Sequence, residues 1–338
     1  MRNGTVAVAV EDPSQVGEAR RLAVRMAGDA GFGESARSDI GIVATEAATN
    51  VVRHAGRGEL LVSQIESARG PVLELVCVDH GPGMRDLAAC LQDGYSSTGT
   101  MGGGFGAMRR LADEFAIYSA ADVGTALVCR FRPVRAGAPS AGGTTWSGLA
   151  VPFRGETACG DAWAIVPGPE GTALLVADGL GHGESAAAAS AEAVRVFRAR
   201  TSFEPDQVLA ALHVGLRSTR GAAAAVALID GRRREIRYAG VGNISAAIVT
   251  GDGTRSLVSH NGTLGLQVRK TQEFVYPWAA GALLVMHSDG LATHWRLEQY
   301  PGLFRQDPAL VGAMLYRDHA RRRDDVSVVV CRLAESAA

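Results

Sequence analysis

Several short stretches of this chain combine residue types and spacings that chemistry could use. "ATEAATNVVRHAG" (44–56) sets Glu46, Asn50 and His54 four residues apart among Ala and Val. On a helix that spacing stacks the three side chains along nearly one face. A half-buried face excludes carboxylates and amides unless they are paired or bound, and a surface helix with a polar stripe is the other reading. "VCVDHGPGM" ends an apolar strand with Asp79, followed by Gly81 and Gly83. A strand-end carboxylate can accept a hydrogen bond from an exocyclic amine, and the glycines let a ligand approach the backbone. "STGTMGGGFGAMRRLADEF" is a glycine-rich loop running into a helix, where backbone N–H groups can cradle phosphates. "DVGTAL" adds a Gly-Thr turn that brings Thr125 into a strand.

A second set of residues is acidic. Asp161 ("TACGDAW"), Asp178 with Gly179 ("LLVADGLGHGE"), Asp289 ("LLVMHSDGL") and the pair Asp324–Asp325 ("RRRDDVSVVV") recur at strand ends beside small residues. Asp-Gly is also hairpin-turn chemistry. Four such carboxylate positions with no His or Cys cluster favour Mg²⁺ or Mn²⁺ over Zn²⁺.

The elements that must position these groups fall into two sets. The first half reads as strand 5–10, helices 13–30 and 36–54, strands 59–66 and 72–79, the glycine-rich loop, helix 106–113, and strands 114–119 and 124–132. That is an α+β layer with a mostly antiparallel sheet. The second half reads as strands 162–166, 172–178, 222–230, 234–239, 244–250, 282–288 and 326–332, with helices near 185–200, 205–217 and 308–320. Strands grouped with segregated helices predict an α/β sandwich. Between the halves, "RAGAPSAGGTTWSG" has the composition of an exposed linker. The expected domains are 1–134 and 148–338, with the linker at 135–147.

Composition narrows the classes. A length of 338 residues suggests two domains, and a formal net charge of −1 points to neither nucleic acid nor an anionic membrane. The five cysteines form no C-x-x-C pair and no disulfide framework is expected. No apolar run approaches a membrane span, so a cytoplasmic protein is expected. The chain contains no Walker A lysine motif.

The order E-x-x-x-N on a helix, D-x-G-x-G, glycine lid and G-T resembles the GHKL ATP-binding family, and within it the RsbT/RsbW-type serine kinases, over roughly residues 5–133. The lid sequence is most similar to the RsbT-type branch. The resemblance implies a Bergerat α/β sandwich that uses ATP and Mg²⁺. Asn50 would hold Mg²⁺ and Glu46 would be the base that activates the attacking hydroxyl. Asp79 would read the adenine amino group. Gly81, Gly83 and Thr125 would contact the nucleotide, and Gly102, Gly104 and Gly106 would form the lid. Thr100 and the run Gly102–Gly104 depart from the alternating glycines of related lids.

The order G-D, D-G-x-G-H-G, S-D-G, D-D-x-S resembles the PPM-type serine/threonine phosphatases, and "ADGLGHGE" resembles their SpoIIE/RsbX-type branch, over roughly 146–334. The implied fold is an αββα sandwich holding two Mn²⁺ or Mg²⁺ ions. Asp178 would bridge the metals, Asp161 and the Gly179 carbonyl would hold one, and Asp289 and Asp324 the other. Asp324 is preferred over Asp325 because the family's motif places the ligand first. His182 would donate a proton to the leaving serine oxygen, and Asn243 and His260 would shape the pocket or serve packing. Together the resemblances imply a bifunctional signalling protein: a kinase-like domain and a phosphatase acting on Ser or Thr of a STAS-type anti-anti-sigma or stressosome protein. A sigma factor or its regulator is a further implied partner, and a homodimer stays open. Two alternatives stand beside this: a phosphatase governed by a non-catalytic ATP-binding domain, and a module that sequesters a sigma factor or STAS partner fused to a phosphatase.

Overall fold

The computed structural model describes residues 4–67, 70–91, 104–133 and 144–332. The chain divides into two compact units. The first gathers Thr5–Pro139 with Leu297–Arg317, and the second gathers Ser140–Arg296 with Asp318–Ala338.

The first unit opens with strand β1 (Thr5–Val10) and helix α1 (Pro13–Asp29). Asp12 starts α1 with a capping box, accepting from Ser14 N at 2.8 Å, while Gln15 Oε1 takes the Asp12 N–H at 2.9 Å. Helix α2 (Glu34–Asn50) passes directly into a π-helical turn, Val51–Ala55, closed by Gly56 at φ 75°. Strands β2 (Gly58–Ser67) and β3 (Gly70–Asp79), the short helix α3 (Leu87–Cys90), helix α4 (Gly104–Leu111) and strands β4 (Glu114–Ala120) and β5 (Gly124–Phe131) follow. The five strands form an antiparallel sheet of order β1-β2-β3-β5-β4. One sheet face packs against α1 and α2 through Leu60, Leu75, Cys77, Leu127 and Cys129, with Ile40, Val43, Ala44 and Ala47 opposite.

The other sheet face is buried as well, although an antiparallel sheet can leave one side wet. Leu61, Val76, Val78 and Val128 are buried there with Glu74. Segment 297–317 reaches this face with polar side chains: Arg130 meets Asp307 at 2.7 Å and Tyr316 Oη donates to Glu59 at 2.8 Å.

The second unit has two further five-stranded sheets and a two-stranded one. Strand β6 (Thr145–Val151) begins within the stretch read as linker, so that stretch is a strand at its C-terminal end. Then come β7 (Asp161–Gly168), β8 (Gly171–Gly179), helices α5 (Glu184–Arg198) and α6 (Pro205–Gly215), β9 (Ala222–Asp230), β10 (Glu235–Val241) and β11 (Ser245–Thr250). The short strands β12 (Gly253–Ser256), β13 (Gly262–Thr263), β14 (Gln267–Val268) and β15 (Phe274–Pro277) precede β16 (Leu283–His287) and β17 (Val326–Arg332); between these last two in sequence lies helix α7 (Pro308–His319), whose residues up to Arg317 belong to the first unit. Strands β12 to β15 were not expected; segments of two to four residues hold too little alternation to read.

The sheets have orders β15-β10-β9-β8-β7 and β12-β11-β16-β17-β6. Helices α5 and α6 cover the first through Phe197, Val208, Leu209 and Leu212. The two sheets meet where Gly148 of β6 faces the Trp163 ring; a Cβ there would lie 2.7 Å from the indole. Among the described residues no helix is long and apolar enough to cross a membrane.

Candidate functional site

In the first unit, Glu46 and Asn50 lie on α2 one turn apart, both partly buried. His54 does not join them. The π-turn at 51–55 inserts extra chain into the helical ladder and turns His54 out to solvent. The expected stack of three side chains is therefore a pair. Gly104, first residue of α4, passes over that pair. A Cβ on Gly104 would lie 3.1 Å from Glu46 Oε2 and 3.8 Å from Asn50 Nδ2. Gly106 lies in α4 too, while Gly102 is outside the described residues.

Asp79 ends β3 on the helix-side face. Its Oδ1 accepts from Gly81 N at 2.8 Å and from Thr125 N at 3.1 Å. Burial holds its carboxyl above the ordinary value, opposed by these two N–H groups and by the charge of Arg317. Gly83 has φ 67°, and a Cβ on it would fall 1.9 Å from the Ala120 carbonyl oxygen, so no side chain fits. Ser119, not singled out from sequence, ties the two glycine turns together. Its Oγ accepts from Met84 N at 2.9 Å and lies 3.0 Å from Thr125 Oγ1. The unit thus presents a partly buried carboxylate–amide pair under a helix start, and a fixed carboxylate flanked by glycine turns.

In the second unit, Asp161 and Asp178 sit directly opposite each other in the β7–β8 register. Facing carboxylates repel, and that cost rises with burial. Asp161 is 4% exposed and its Oδ2 has no hydrogen-bond partner. Burial, then the neighbouring Asp178, push its carboxyl well above the usual range. Asp178 is pushed up to about 7, first by burial and then by Asp289 and Asp324. Asn243 stands between two of these groups, its Nδ2 donating to Asp289 Oδ2 at 2.8 Å and Asp178 Oδ2 at 3.3 Å. Gly179 admits no side chain, since a Cβ would lie 2.1 Å from the Ala186 carbonyl oxygen.

Asp324 and Asp325 differ in surroundings. Asp325 is buried and accepts from Phe153 N at 2.7 Å and Gly160 N at 2.8 Å. Asp324 is exposed and accepts the Asp325 N–H at 2.9 Å. His182 is exposed and its Nδ1 lies 3.1 Å from Glu156 Oε1. His260 continues the edge of β10 through backbone bonds to Gly240 and Gly242, and its ring stacks near Phe274. Among the described residues no three acidic, His or Cys side chains close into a finished ligand cluster. The chemistry of the donors still fits divalent cations. An unpartnered buried carboxylate oxygen on Asp161 and a carboxylate on Asp178 that retains a proton near neutrality are what a divalent cation held by these residues would relieve.

Comparison with known proteins also gives two parts, although the second match includes the segment 297–317 that the structure gathers with the first unit. Residues 9–131 match the histidine kinase-like ATPase domain family, and residues 168–334 match the stage II sporulation protein E (SpoIIE) family. The chain belongs to the RsbT-type histidine kinase-like ATPase family in its first part, fused to a SpoIIE/PPM-type phosphatase domain. The serine/threonine-protein kinase RsbT of Bacillus subtilis is 34% identical over 107 residues, 32% of this chain and 80% of that protein. The phosphoserine phosphatase RsbX of the same organism is 25% identical over 139 residues, 41% of this chain and 70% of that protein. A solved structure from the bacterial stressosome is 30% identical, with a TM-score of 0.51, 56% of this chain and 99% of that one covered.

Proposed function

We propose that this chain is a two-way switch on one kind of substrate: residues 1–134 phosphorylate a Ser or Thr of a STAS-type anti-anti-sigma or stressosome protein, and residues 148–338 remove that phosphate. The observation that carries the reading is that each unit holds its own charged constellation. Glu46 and Asn50 lie beneath Gly104 in one, and Asp161 faces Asp178 in the other. The kinship to RsbT and to RsbX supports it.

In the first domain Asp79 receives the adenine amino group, and Gly81, Gly83 and Thr125 frame the base. The lid glycines 102, 104 and 106 close over the phosphates, where N–H groups favour negative charge. Asn50 would hold Mg²⁺ through its amide oxygen. Glu46 takes the proton of the attacking hydroxyl.

In the second domain Asp161, Asp178, Asp289, Asp324 and the Gly179 carbonyl would hold two Mn²⁺ or Mg²⁺ ions. When bound, such a pair lowers the pKa of water and neutralises charge on phosphoryl oxygens. Asn243 orients the Asp178 and Asp289 carboxylates. His182, held by Glu156, supplies the proton to the departing serine oxygen.

The test incubates a STAS-domain substrate with Mg-ATP and two variants, following phosphate by intact mass. Asp178→Asn should accumulate phosphoserine and Glu46→Ala should not. If neither variant phosphorylates, while Glu46→Ala still clears pre-phosphorylated substrate, the kinase assignment is wrong.

A further inference from the structure

The Asp79 main chain has a partner that the glycine motifs do not supply. Asp79 lies one residue past the last β3–β5 pair, Val78↔Ala126, so the sheet ladder with β5 does not continue to it. Its carbonyl oxygen instead accepts from Arg317 Nη1 at 2.6 Å. Arg317 comes from α7, far along the sequence, yet it is 7% exposed and belongs to the first unit. Gly124 leaves the space for this contact. A Cβ on Gly124, which has φ 99°, would lie 2.4 Å from the Asp79 carbonyl oxygen and 2.6 Å from Arg317 Nη1. The next residue, Thr125, donates its N–H to the Asp79 carboxylate. One residue is thus gripped at both ends: the carboxylate by Gly81 and Thr125, the carbonyl by Arg317.

We propose that Arg317 is a positioning residue of the nucleotide site, fixing the Asp79 main chain so that the carboxylate meets the adenine amino group. This rests on the reading of the first domain as an ATP site. In this reading Arg317 acts on the site through the Asp79 carbonyl rather than by contact with the nucleotide. Its guanidinium also favours the charged form of the Asp79 carboxyl, which accepts a hydrogen bond from an amine. The sequence motifs of the ATP-binding domain end near residue 131, so recognition of the base depends on a side chain that the SpoIIE-type match covers.

The experiment compares binding of ATP and of inosine triphosphate, which carries an oxygen in place of the 6-amino group, to the full chain by calorimetry with Mg²⁺. Wild type should prefer ATP. Arg317→Ala should lose about tenfold in ATP affinity, the value of one charge-assisted hydrogen bond. Its affinity for inosine triphosphate should stay nearly unchanged, so the preference collapses. Arg317→Lys, which keeps a cationic donor, should restore part of it. Gly124→Ala, which drives a methyl group between the carbonyl and the guanidinium, should reproduce the loss if Arg317→Ala does not fold. A preference that survives Arg317→Ala overturns the proposal, and so does an equal loss for both nucleotides, which would mark a purely structural role. If wild type binds neither nucleotide, the ATP-site reading itself falls.

Discussion

Arg130 offers a direct test of how the first unit is held together. Its guanidinium donates to Glu74 at 2.6 Å, to Glu114 at 3.0 Å and to Asp307 at 2.9 and 2.7 Å. The side chains of Arg130 and Glu74 are 12% and 3% exposed, whereas Glu114 and Asp307 keep 30% and 24%. Replacing Arg130 with Met leaves Glu74 buried without its cation. The cost through Glu74 has a ceiling, because the carboxyl can take up a proton instead. From a free glutamate pKa near ~4.3, that uptake at pH 7 costs about 4 kcal/mol. Glu114 and Asp307 can turn toward water and forfeit about 1 kcal/mol or less each. Arg130→Met should therefore destabilise the first unit by about 3–5 kcal/mol at pH 7. At pH 5 the Glu74 share should shrink to about 1 kcal/mol. The double variant Arg130→Met, Glu74→Leu should recover most of the loss, since no buried charge remains. All four tryptophans (Trp146, Trp163, Trp278 and Trp295) lie in the second unit. Urea unfolding followed by circular dichroism and by tryptophan fluorescence thus separates the two transitions. A loss below about 1 kcal/mol at pH 7, or a loss equal at pH 5 and pH 7, would refute the argument that Glu74 is desolvated.

Three further outcomes are expected. In chelated protein, the raised Asp178 carboxyl gives stability that is present below pH 3.8 and is lost as pH rises through about 7. Asp178→Asn should thus gain on wild type by a few kcal/mol between pH 5 and pH 8 in thermal unfolding, and added Mn²⁺ should cancel the gain; a constant gap would contradict it. Asn243→Ala, which removes the hydrogen bonds to Asp178 and Asp289, should weaken Mn²⁺ binding about tenfold or more in a calorimetric titration. Gly83→Ala places a methyl group against the Ala120 carbonyl at positive φ, so the circular-dichroism transition should lose at least ~1 kcal/mol.

The fold class of the two halves was legible because both alternate in the right periods, and because the ordered motifs are specific. The strand-end positions of Asp79, Asp161 and Asp178 were legible too: an apolar run that stops at Asp-Gly or Asp-x-Gly is a local signal. His54 was not. A π-turn leaves no mark in the hydrophobic pattern, and the four-residue spacing continues past the point where the helix changes pitch. Nor could the residues say that 297–317 clusters with the first sheet, because a periodic apolar helix shows that it is buried without naming its neighbour. Arg317 and Ser119 escaped for that reason; each acts through a contact distant in sequence, and an isolated Arg or Ser carries no motif. Asp325 beside Asp324 marks the same limit: only the structure shows that Asp325 is occupied by the Phe153 and Gly160 N–H groups.

Because segment 297–317 clusters with the first unit, the first unit is interrupted in sequence by the second. The glycine-rich stretch near residue 140 is therefore a poor place for genetic recombination to part the halves. A crossover there would exchange the gene's visible modules yet strip the β-sheet of Asp307, Tyr316 and Arg317, and with them the hydrogen bonds they make to Arg130, Glu59 and Asp79. An exchange that keeps the first unit whole has to carry 297–317 along with its N-terminal part.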